Sequence, residues 1–318
     1  MVLRDLLVVD FTRYLPGPFA SRELLRRGAR VVRVETPEGD PLRSVAPGWD
    51  AALNTGKESV VWDRERDPGL GPALCRRADV VLEGFRPGVA DRIGIGAKTV
   101  PESVVYCSVT GFGADDLRAG HDLNYLGWAG VLADTAPTPP PVQVADLAGG
   151  SLFAVIEILA ALLERERTGR GAHIIVSMTH NAHALAAHRL LGEPERTLTG
   201  GLACYGVYAT ADGRFLTISP VEPKFWARLC EVIGRPDLIV RHFDEDQDAL
   251  AAELAAVFRT RPLDDWLRLF DGEDVMGGPV FTLAEGAEWL GLPASRAQAP
   301  ALGQHTDSWR AELAPFEG

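Results

Sequence analysis

The sequence predicts an α/β protein with a large, Rossmann-like parallel-sheet domain and a smaller α+β domain. In the first half of the chain, short β-rich segments alternate with helical segments, which is typical of βαβ units. In the second half, Asp212-Gly213 lies between two β-rich segments, and an Asp-Gly pair is a strong signal for a tight antiparallel hairpin. A length of 318 residues also suits two domains better than one.

The first half contains six predicted strands. They occupy residues 6–11, 29–35, 58–63, 79–85, 104–110 and 173–178. Predicted helices lie at residues 19–28, 68–78 and 147–171, and a shorter one follows Pro87. We interpret residues 36–43 as a loop and residues 135–143 as a proline-rich loop.

The pattern changes near residue 200. A hairpin is predicted over residues 205–220, followed by three amphipathic helices, a short strand within 275–282 and a polar tail. We therefore predict four segments, which are a large domain (1–190), a linker (191–204), a small α+β domain (205–290) and a C-terminal arm that lies across another surface (291–318).

Composition and charge argue against several classes of protein. A formal net charge of −12 disfavours non-specific binding to nucleic acid or to an anionic membrane. No apolar run reaches the roughly 18 residues of a membrane-spanning helix, and Arg4 and Asp5 interrupt the N-terminal apolar segment, so we expect neither a membrane anchor nor a signal peptide. The four cysteines form no CxxC pair, which indicates buried thiols of a cytoplasmic protein.

Residues 120–125, Gly-His-Asp-Leu-Asn-Tyr, form the most informative stretch. His121, Asp122 and Tyr125 can each hold or move a proton, and they follow a predicted strand at the sheet edge where open α/β proteins bind ligands. A helix is predicted to start here, and its free N–H groups would stabilise developing negative charge. Asp146 and Glu222 also precede helices. Taken singly, these residues are explained equally well as helix caps or first-turn residues.

Motifs for other chemistries are incomplete. Gly56-Lys57 lacks the upstream glycine and the following Ser or Thr of a phosphate-binding P-loop. No GxGxxG follows the first strand, and no GxSxG is present. His180 and His183 lie three residues apart with no carboxylate at matching spacing, so we expect no metal site.

Several segments, in order along the chain, resemble the family III CoA-transferases and their alpha-methylacyl-CoA racemase branch. They include RYLPGPFAS (13–21), VVRVETPEGDPLR (31–43), DVVLEGFRPGVADRIGIG (79–96), GHDLNYLGWAG (120–130), ADLAGGSLFAVIEILAALLERERTGRG (145–171) and ISPVEPKFW (218–226). Histidine in the GHD(I/L)NY motif is typical of the racemase branch. The resemblance covers essentially the whole chain and implies the family fold, with two chains interlocked as a homodimer.

The resemblance also implies a role for each candidate residue. His121, oriented by Glu222, and Asp146 would be the two acid/bases that move a proton next to a thioester carbonyl. The residues that it implies for binding CoA or the thioester are Lys57, Arg86, Arg92, Asp122 and Tyr125. It further implies an enzyme without a cofactor, whose partner is acyl-CoA and whose active site forms between the large domain of one chain and the small domain of the other.

Two departures from the family pattern keep alternatives open. Thr36 stands where the family often has an arginine that stacks on the CoA adenine, and Thr55 replaces another cation. The carrier is therefore either CoA or the pantetheine arm of a carrier protein. Two other functions also stay open, which are a CoA-transferase with Asp146 as nucleophile and a non-catalytic acyl-thioester-binding protein. The acyl chain is not predicted.

Overall fold

The computed structural model describes residues 2–192, 197–292 and 297–314. The chain divides into two compact units, one formed by Met1–His188 with Ser295–Gly318 and the other by Arg189–Ala294. Parts of the predicted linker (193–196) and of the predicted arm (293–296 and 315–318) lie outside the described residues.

A six-stranded parallel sheet forms the centre of the first unit, as predicted. Its strands are β1 (Leu7–Asp10), β2 (Arg30–Glu35), β3 (Glu58–Val61), β4 (Val80–Glu83), β5 (Val105–Thr110) and β6 (His173–Ser177). They lie in the order β3-β2-β1-β4-β5-β6, and every neighbouring pair is parallel. The strand order reverses direction between β1 and β4, and open sheets bind ligands in the crevice at such a switch point.

Apolar residues cover both faces of this sheet. Val8 packs in the core on one face and its neighbour Val9 in the core on the other, because successive side chains of a strand point to opposite faces. This double burial explains why the strands read as nearly continuous apolar runs. The four cysteines are free and buried, as predicted: Cys75, Cys107, Cys204 and Cys230.

Thirteen α-helices are described across the two units. They are α1 (Pro16–Arg26), α2 (Leu42–Val45), α3 (Pro47–Asn54), α4 (Leu70–Arg77), α5 (Val89–Arg92), α6 (Asp122–Trp128), α7 (Phe153–Thr168), α8 (Met178–Ala186), α9 (Pro223–Val232), α10 (Gln247–Phe258), α11 (Leu263–Phe270), α12 (Leu283–Trp289) and α13 (Thr306–Leu313). The sequence did not predict α2, α3, α12 or α13. For α13 the reason is that a single tryptophan anchors it, since Trp309 is fully buried against the sheet and donates from Nε1 to Glu58 Oε2 at 2.6 Å.

The helix predicted over residues 147–171 begins as a π-helix, Ala145–Leu152, and continues as α7. By length and composition Ala145–Thr168 is apolar enough to cross a membrane, contrary to the expectation that no segment reaches that size. Of its most apolar stretch, 44% is buried inside the protein, and Ile158 and Leu162 pack in the core of the sheet. Packing against the sheet therefore accounts for part of its apolar character.

A three-stranded antiparallel sheet forms the centre of the second unit. Its strands are β7 (Gly206–Ala209), β8 (Phe215–Ile218) and β9 (Gly277–Pro279), in that order. The predicted hairpin is confirmed, and Gly213 in its turn has a φ of 76°, which glycine adopts without steric cost. Trp226 of α9, Phe258 of α10 and Trp266 of α11 share its core.

Candidate active site

A cavity of about 740 Å³ lies at the switch point of the parallel sheet. Its walls come mainly from residues 11–17 after β1, residues 84–89 after β4 and residues 109–121 at the end of β5. The predicted site residues that line it are Arg86, His121, Tyr125 and Asp146. The fold thus gathers, at the carboxyl edge of the sheet, side chains that are up to 60 positions apart in the sequence.

Asp146 lies within the π-helical segment and not at the N-cap position that its place before a helix suggested. π-Helical turns occur frequently at functional sites. Asp146 is 9% exposed, and burial, followed by the nearby charge of Asp122, raises the pKa of Asp146 to about 7. Its carboxyl group is therefore divided between acid and base forms at neutral pH.

Close contacts position the turn that carries Asp146. A Cβ atom at Gly149 would lie 2.9 Å from the backbone oxygen of Met178 in α8, and one at Gly150 would lie 3.0 Å from Met178 Cγ. Gly149 thus lets the backbone of α8 approach closely, and Gly150 leaves room for the Met178 side chain. On the other side, Asp122 Oδ1 accepts the backbone N–H of Asp146 at 2.9 Å. This bond joins the π-helical segment to the start of α6.

His121 is the exposed N-cap residue of α6, so the helix predicted to start at this motif is confirmed. Its backbone N–H donates to Asn124 Oδ1 at 3.0 Å, and its ring meets the ring of Tyr14 edge to face, with centroids 6.4 Å apart. Tyr125 donates its hydroxyl hydrogen to the Gly120 carbonyl, and burial raises the pKa of Tyr125 to about 12. Tyr125 therefore stays protonated and supports the loop that carries His121.

A second cavity, of about 350 Å³, adjoins the first. Tyr14, His121 and Asp146 line both cavities. The apolar residues of the second cavity are Leu15, Leu42, Trp49, Leu123, Pro139 and Pro140. Asp122, which the resemblance assigned to the thioester, lines this second cavity and not the first. The two candidate acid/bases thus stand where a cavity with cationic walls meets an apolar one.

Cationic side chains line the first cavity and a smaller neighbouring slot. Arg86 lines the first cavity, as does Arg13, which the sequence had not singled out. Arg13 also lines an adjoining slot of about 250 Å³, together with Arg64 and Thr36. Arg92 is exposed on α5 and lines none of these three cavities. A signal existed for both arginines, because Arg13 follows β1 and Arg64 follows β3 at the ligand edge of the sheet.

Lys57, predicted to contact CoA, lies instead in the core. Its side chain is fully buried 3.7 Å from Asp10, and its ammonium group donates to Pro18 O at 2.9 Å, Ser21 Oγ at 2.7 Å and Asn54 Oδ1 at 2.8 Å. Burial lowers the pKa of Lys57 to about 8, although Asp10 acts in the opposite direction. All three of its donors are occupied within the protein, so the structure gives Lys57 a structural role.

Glu222 belongs to the second unit. It is the exposed N-cap residue of α9, and its side chain makes no capping hydrogen bond. Its position agrees with the alternative explanation for a carboxylate at the start of a helix, a favourable interaction with the positive end of the helix dipole.

Within the described ranges, no group of three or more His, Cys, Asp or Glu side chains is placed to hold a metal ion. The two histidines tested as a metal pair engage separate protein groups. His180 Nδ1 lies 2.7 Å from Ser177 Oγ, and His183 Nδ1 lies 3.0 Å from the Ala129 carbonyl oxygen.

Comparison with known proteins settles the family. Residues 3–295 match CoA-transferase family III. The chain belongs to this family. The resemblance drawn from the motifs is thereby confirmed, and the large parallel-sheet domain with a separate antiparallel sheet is the fold of CoA-transferase family III.

Relatives within CoA-transferase family III catalyse different reactions. Alpha-methylacyl-CoA racemase from Mus musculus is 34% identical over 309 residues, which cover 90% of this chain and 79% of the relative. Acetyl-CoA:oxalate CoA-transferase from Acetobacter aceti is also 34% identical, over 330 residues that cover 92% and 83%. A CAIB/BAIF family protein from Brucella suis has a similar crystal structure, with a TM-score of 0.80 and 27% identity over 98% of this chain and 99% of that one.

Proposed function

We propose that this member of CoA-transferase family III is a cofactor-independent racemase of 2-methylacyl-CoA thioesters. The observation that carries the proposal is that His121 and Asp146 both line the junction of two cavities, with the pKa of Asp146 raised to about 7. A racemase needs two groups that exchange protons with one carbon from opposite sides near neutral pH. A histidine and a carboxyl group with a raised pKa both meet that requirement.

The proposed reaction removes one proton from the α-carbon and returns another. The Asp146 carboxylate takes the α-proton, and the electron pair of the C–H bond forms the enolate double bond while the thioester oxygen becomes negative. The imidazolium form of His121 then donates a proton to the opposite face, and the electron pair returns to the α-carbon. The opposite enantiomer uses the two groups in reverse, and exchange with water resets their protonation.

The enolate oxygen needs a hydrogen-bond donor. The first N–H groups of α6, those of Asp122 and Leu123, have no acceptor inside their own helix and lie at its positive end. One preorganised donor of this kind contributes roughly 3 kcal/mol to stabilising a developing oxyanion. We propose that an N–H of this turn serves that purpose.

The distribution of cations supports CoA as the carrier. Arg86 and Arg13 line the first cavity, and Arg13 and Arg64 flank the slot at Thr36, where the family pattern would have placed another arginine. We propose that Arg86 binds a CoA phosphate, that Arg13 and Arg64 compensate for Thr36, and that Arg92 contributes from the rim. Arginine side chains suit this task because they bind phosphate groups in a bidentate manner.

Three further features of the proposal come from the sequence and from the family resemblance. The enzyme would act in the cytoplasm, it would form an interlocked homodimer, and Glu222 would orient His121 within that dimer. The free carboxylate of Glu222 on α9 supports the last point, because nothing in its helix occupies it. A fully active monomer in analytical ultracentrifugation would contradict the dimer.

A CoA-transferase is the second candidate, and one observation favours it. A buried aspartate beside a CoA cavity is also the group that a transferase uses to attack the thioester, and the Acetobacter aceti transferase is as similar to this chain as the mouse racemase is. A transferase reaction needs no second acid/base opposite Asp146. A non-catalytic thioester-binding protein is the third candidate, which binding without turnover would favour.

The deciding experiment measures deuterium incorporation at the α-carbon of a 2-methylacyl-CoA in D₂O, alongside CoA transfer to a free carboxylic acid. We expect exchange in the native protein and its loss in both His121→Ala and Asp146→Asn. Loss of roughly 10²–10⁴-fold is typical when a positioned acid or base is removed. Trapping of an Asp146 acyl adduct with hydroxylamine, with no α-proton exchange, would contradict the racemase and support the transferase.

A further inference from the structure

Tyr14 carries an unusual backbone conformation at the junction of the two cavities. It lies in the loop after β1, and its φ of 64° falls in the left-handed region, which residues other than glycine rarely adopt. Such a conformation is unfavourable and persists where the surrounding structure imposes it, often at functional sites. Glycine would adopt this backbone more readily, so a tyrosine here points to a use for its side chain.

Asp40 holds the backbone of Tyr14 by a hydrogen bond. Its Oδ2 accepts the backbone N–H of Tyr14 at 3.0 Å, and its Oδ1 accepts the backbone N–H of Leu42 at 2.9 Å. The buried guanidinium of Arg33 lies 3.1 Å from the same Oδ2. Because Asp40 is 2% exposed, its carboxylate is a fixed acceptor that holds the Tyr14 backbone from 26 positions away.

The ring of Tyr14 reaches the proposed reaction centre. It stands at 86° to the ring of His121, and it lines the cavity with cationic walls and the apolar cavity alike. The side chain is 43% exposed, so the ring is presented to the cavities and not packed away in the core. Tyr14 therefore lines the same two cavities as His121 and Asp146 and contacts the ring of His121.

The two cavities suit the two parts of a thioester differently. Arginines line the larger one, whereas none of the Lys or Arg residues that the structure describes lines the smaller one, whose walls include Leu42, Trp49 and Leu123. A pantetheine arm entering past Arg86 would direct an apolar chain into the smaller cavity. Besides the thioester carbonyl, the α-carbon bears two carbon substituents, and in this orientation one would enter that cavity while the other would face the ring of Tyr14.

Resting on the proposed function, we propose that Tyr14, held by Asp40, is a specificity-determining residue for the acyl group. Its ring limits the second substituent at the α-carbon to a small group, while the apolar cavity accepts the acyl chain. Selection by size in such a site reaches roughly 10–200-fold for each methylene group.

The test compares 2-methyloctanoyl-CoA with 2-propyloctanoyl-CoA, which share one acyl chain and differ in the second substituent. We expect the native protein to exchange the α-proton of the 2-methyl compound at least about 10-fold faster in kcat/KM. Tyr14→Gly, which removes the ring and tolerates the positive φ, should reduce this ratio to near unity. Tyr14→Phe should keep the native ratio of kcat/KM values, because the ring, and not the hydroxyl group, restricts the size of the second substituent.

Matched variants separate specificity from folding. Tyr14→Ala removes the ring but keeps the unfavourable backbone, so it should share the relaxed ratio of Tyr14→Gly while unfolding at a lower temperature. Asp40→Asn should also relax the ratio, because it weakens the hold on the Tyr14 backbone. A folded Tyr14→Gly protein with the native ratio would overturn the proposal.

The same series distinguishes failure of the proposed reaction from failure of this inference. If the native protein exchanges neither compound, the racemase proposal fails, and the ratio of the two dissociation constants, measured by calorimetry, takes the place of the kinetic ratio. A native preference for the 2-methyl compound that Tyr14→Gly removes would then still support the inference. Equal binding of both compounds to the native protein would overturn it.

Discussion

The carboxylate of Asp122 accepts the backbone N–H of Asp146 at 2.9 Å, across 24 positions of the sequence. This bond connects the first turn of α6, whose N-cap is His121, to the π-helical turn that carries Asp146. The backbone segments that carry the two candidate acid/bases are therefore joined directly by this hydrogen bond. The charge of Asp122 also contributes, after burial, to the raised pKa of Asp146.

Asp122→Asn and Asp122→Ala separate these two effects. The asparagine keeps an acceptor for the Asp146 N–H but removes the charge, so the pKa of Asp146 should fall below 7 and the limb of the kcat/KM profile that reports Asp146 should move to lower pH. The alanine also loses the hydrogen bond, which should cost about 1 kcal/mol of unfolding free energy. An unchanged pH profile in Asp122→Asn would contradict the electrostatic effect.

Asp146→Asn should stabilise the protein at alkaline pH. Because the pKa of Asp146 is raised to about 7 on folding, the folded state binds more protons than the unfolded state between about pH 4 and pH 7, and stability falls as pH rises through that window. The neutral asparagine avoids this cost, which is at most about 4 kcal/mol above pH 7. Urea denaturation at pH 4.5 and pH 8 measures the difference in unfolding free energy between Asp146→Asn and the native protein. A variant that is more stable than the native protein only at pH 4.5 would contradict the raised pKa of Asp146.

Arg86 and Arg92 form a natural pair of test and control. Arg86 lines the first cavity and Arg92 does not. Arg86→Ala should raise the KM for acyl-CoA about 10-fold, because a charge-assisted hydrogen bond to a phosphate is lost, and the effect should shrink at high salt. Arg92→Ala should change KM by less. A larger effect from Arg92→Ala would place the CoA phosphates elsewhere.

Lys57→Met should destabilise the protein without weakening CoA binding. The substitution leaves Asp10 buried without its cation, which should lower the unfolding free energy by roughly 3 kcal/mol. Lys98, an exposed lysine, gives the control, and Lys98→Met should change stability by less than about 0.5 kcal/mol. A raised KM for acyl-CoA in a folded Lys57→Met protein would instead support the prediction that Lys57 contacts CoA.

The acyl cavity should discriminate against a second carboxylate. Two carboxylates, Asp122 and Asp146, line it beside His121, and none of the described Lys or Arg residues does, so an acyl chain ending in a carboxylate would meet mainly like charges. We expect 2-methylsuccinyl-CoA to exchange its α-proton at least about 100-fold more slowly than 2,4-dimethylpentanoyl-CoA, its uncharged isostere. Comparable rates, measured by deuterium incorporation, would contradict an apolar acyl site.

Much of the fold followed from local patterns. The six strands of the parallel sheet and the hairpin at Gly213 were predictable, because β-rich runs and turn residues act over a few neighbours. The helix after His121 was predictable for the same reason. By contrast, α13 was missed, since its anchor Trp309 matters only once the sheet exists to bury it.

The sequence predicted which residues form the candidate site better than it predicted their burial, contacts and pKa values. The order of the motifs along the chain determined the family and pointed to His121 and Asp146. Only the tertiary structure decided that Asp146 sits in a π-helical turn with a raised pKa, that Lys57 is buried, and that Asp40 holds Tyr14 between two cavities. The physical reason is that burial and charge act through space, between residues that lie tens of positions apart in the sequence.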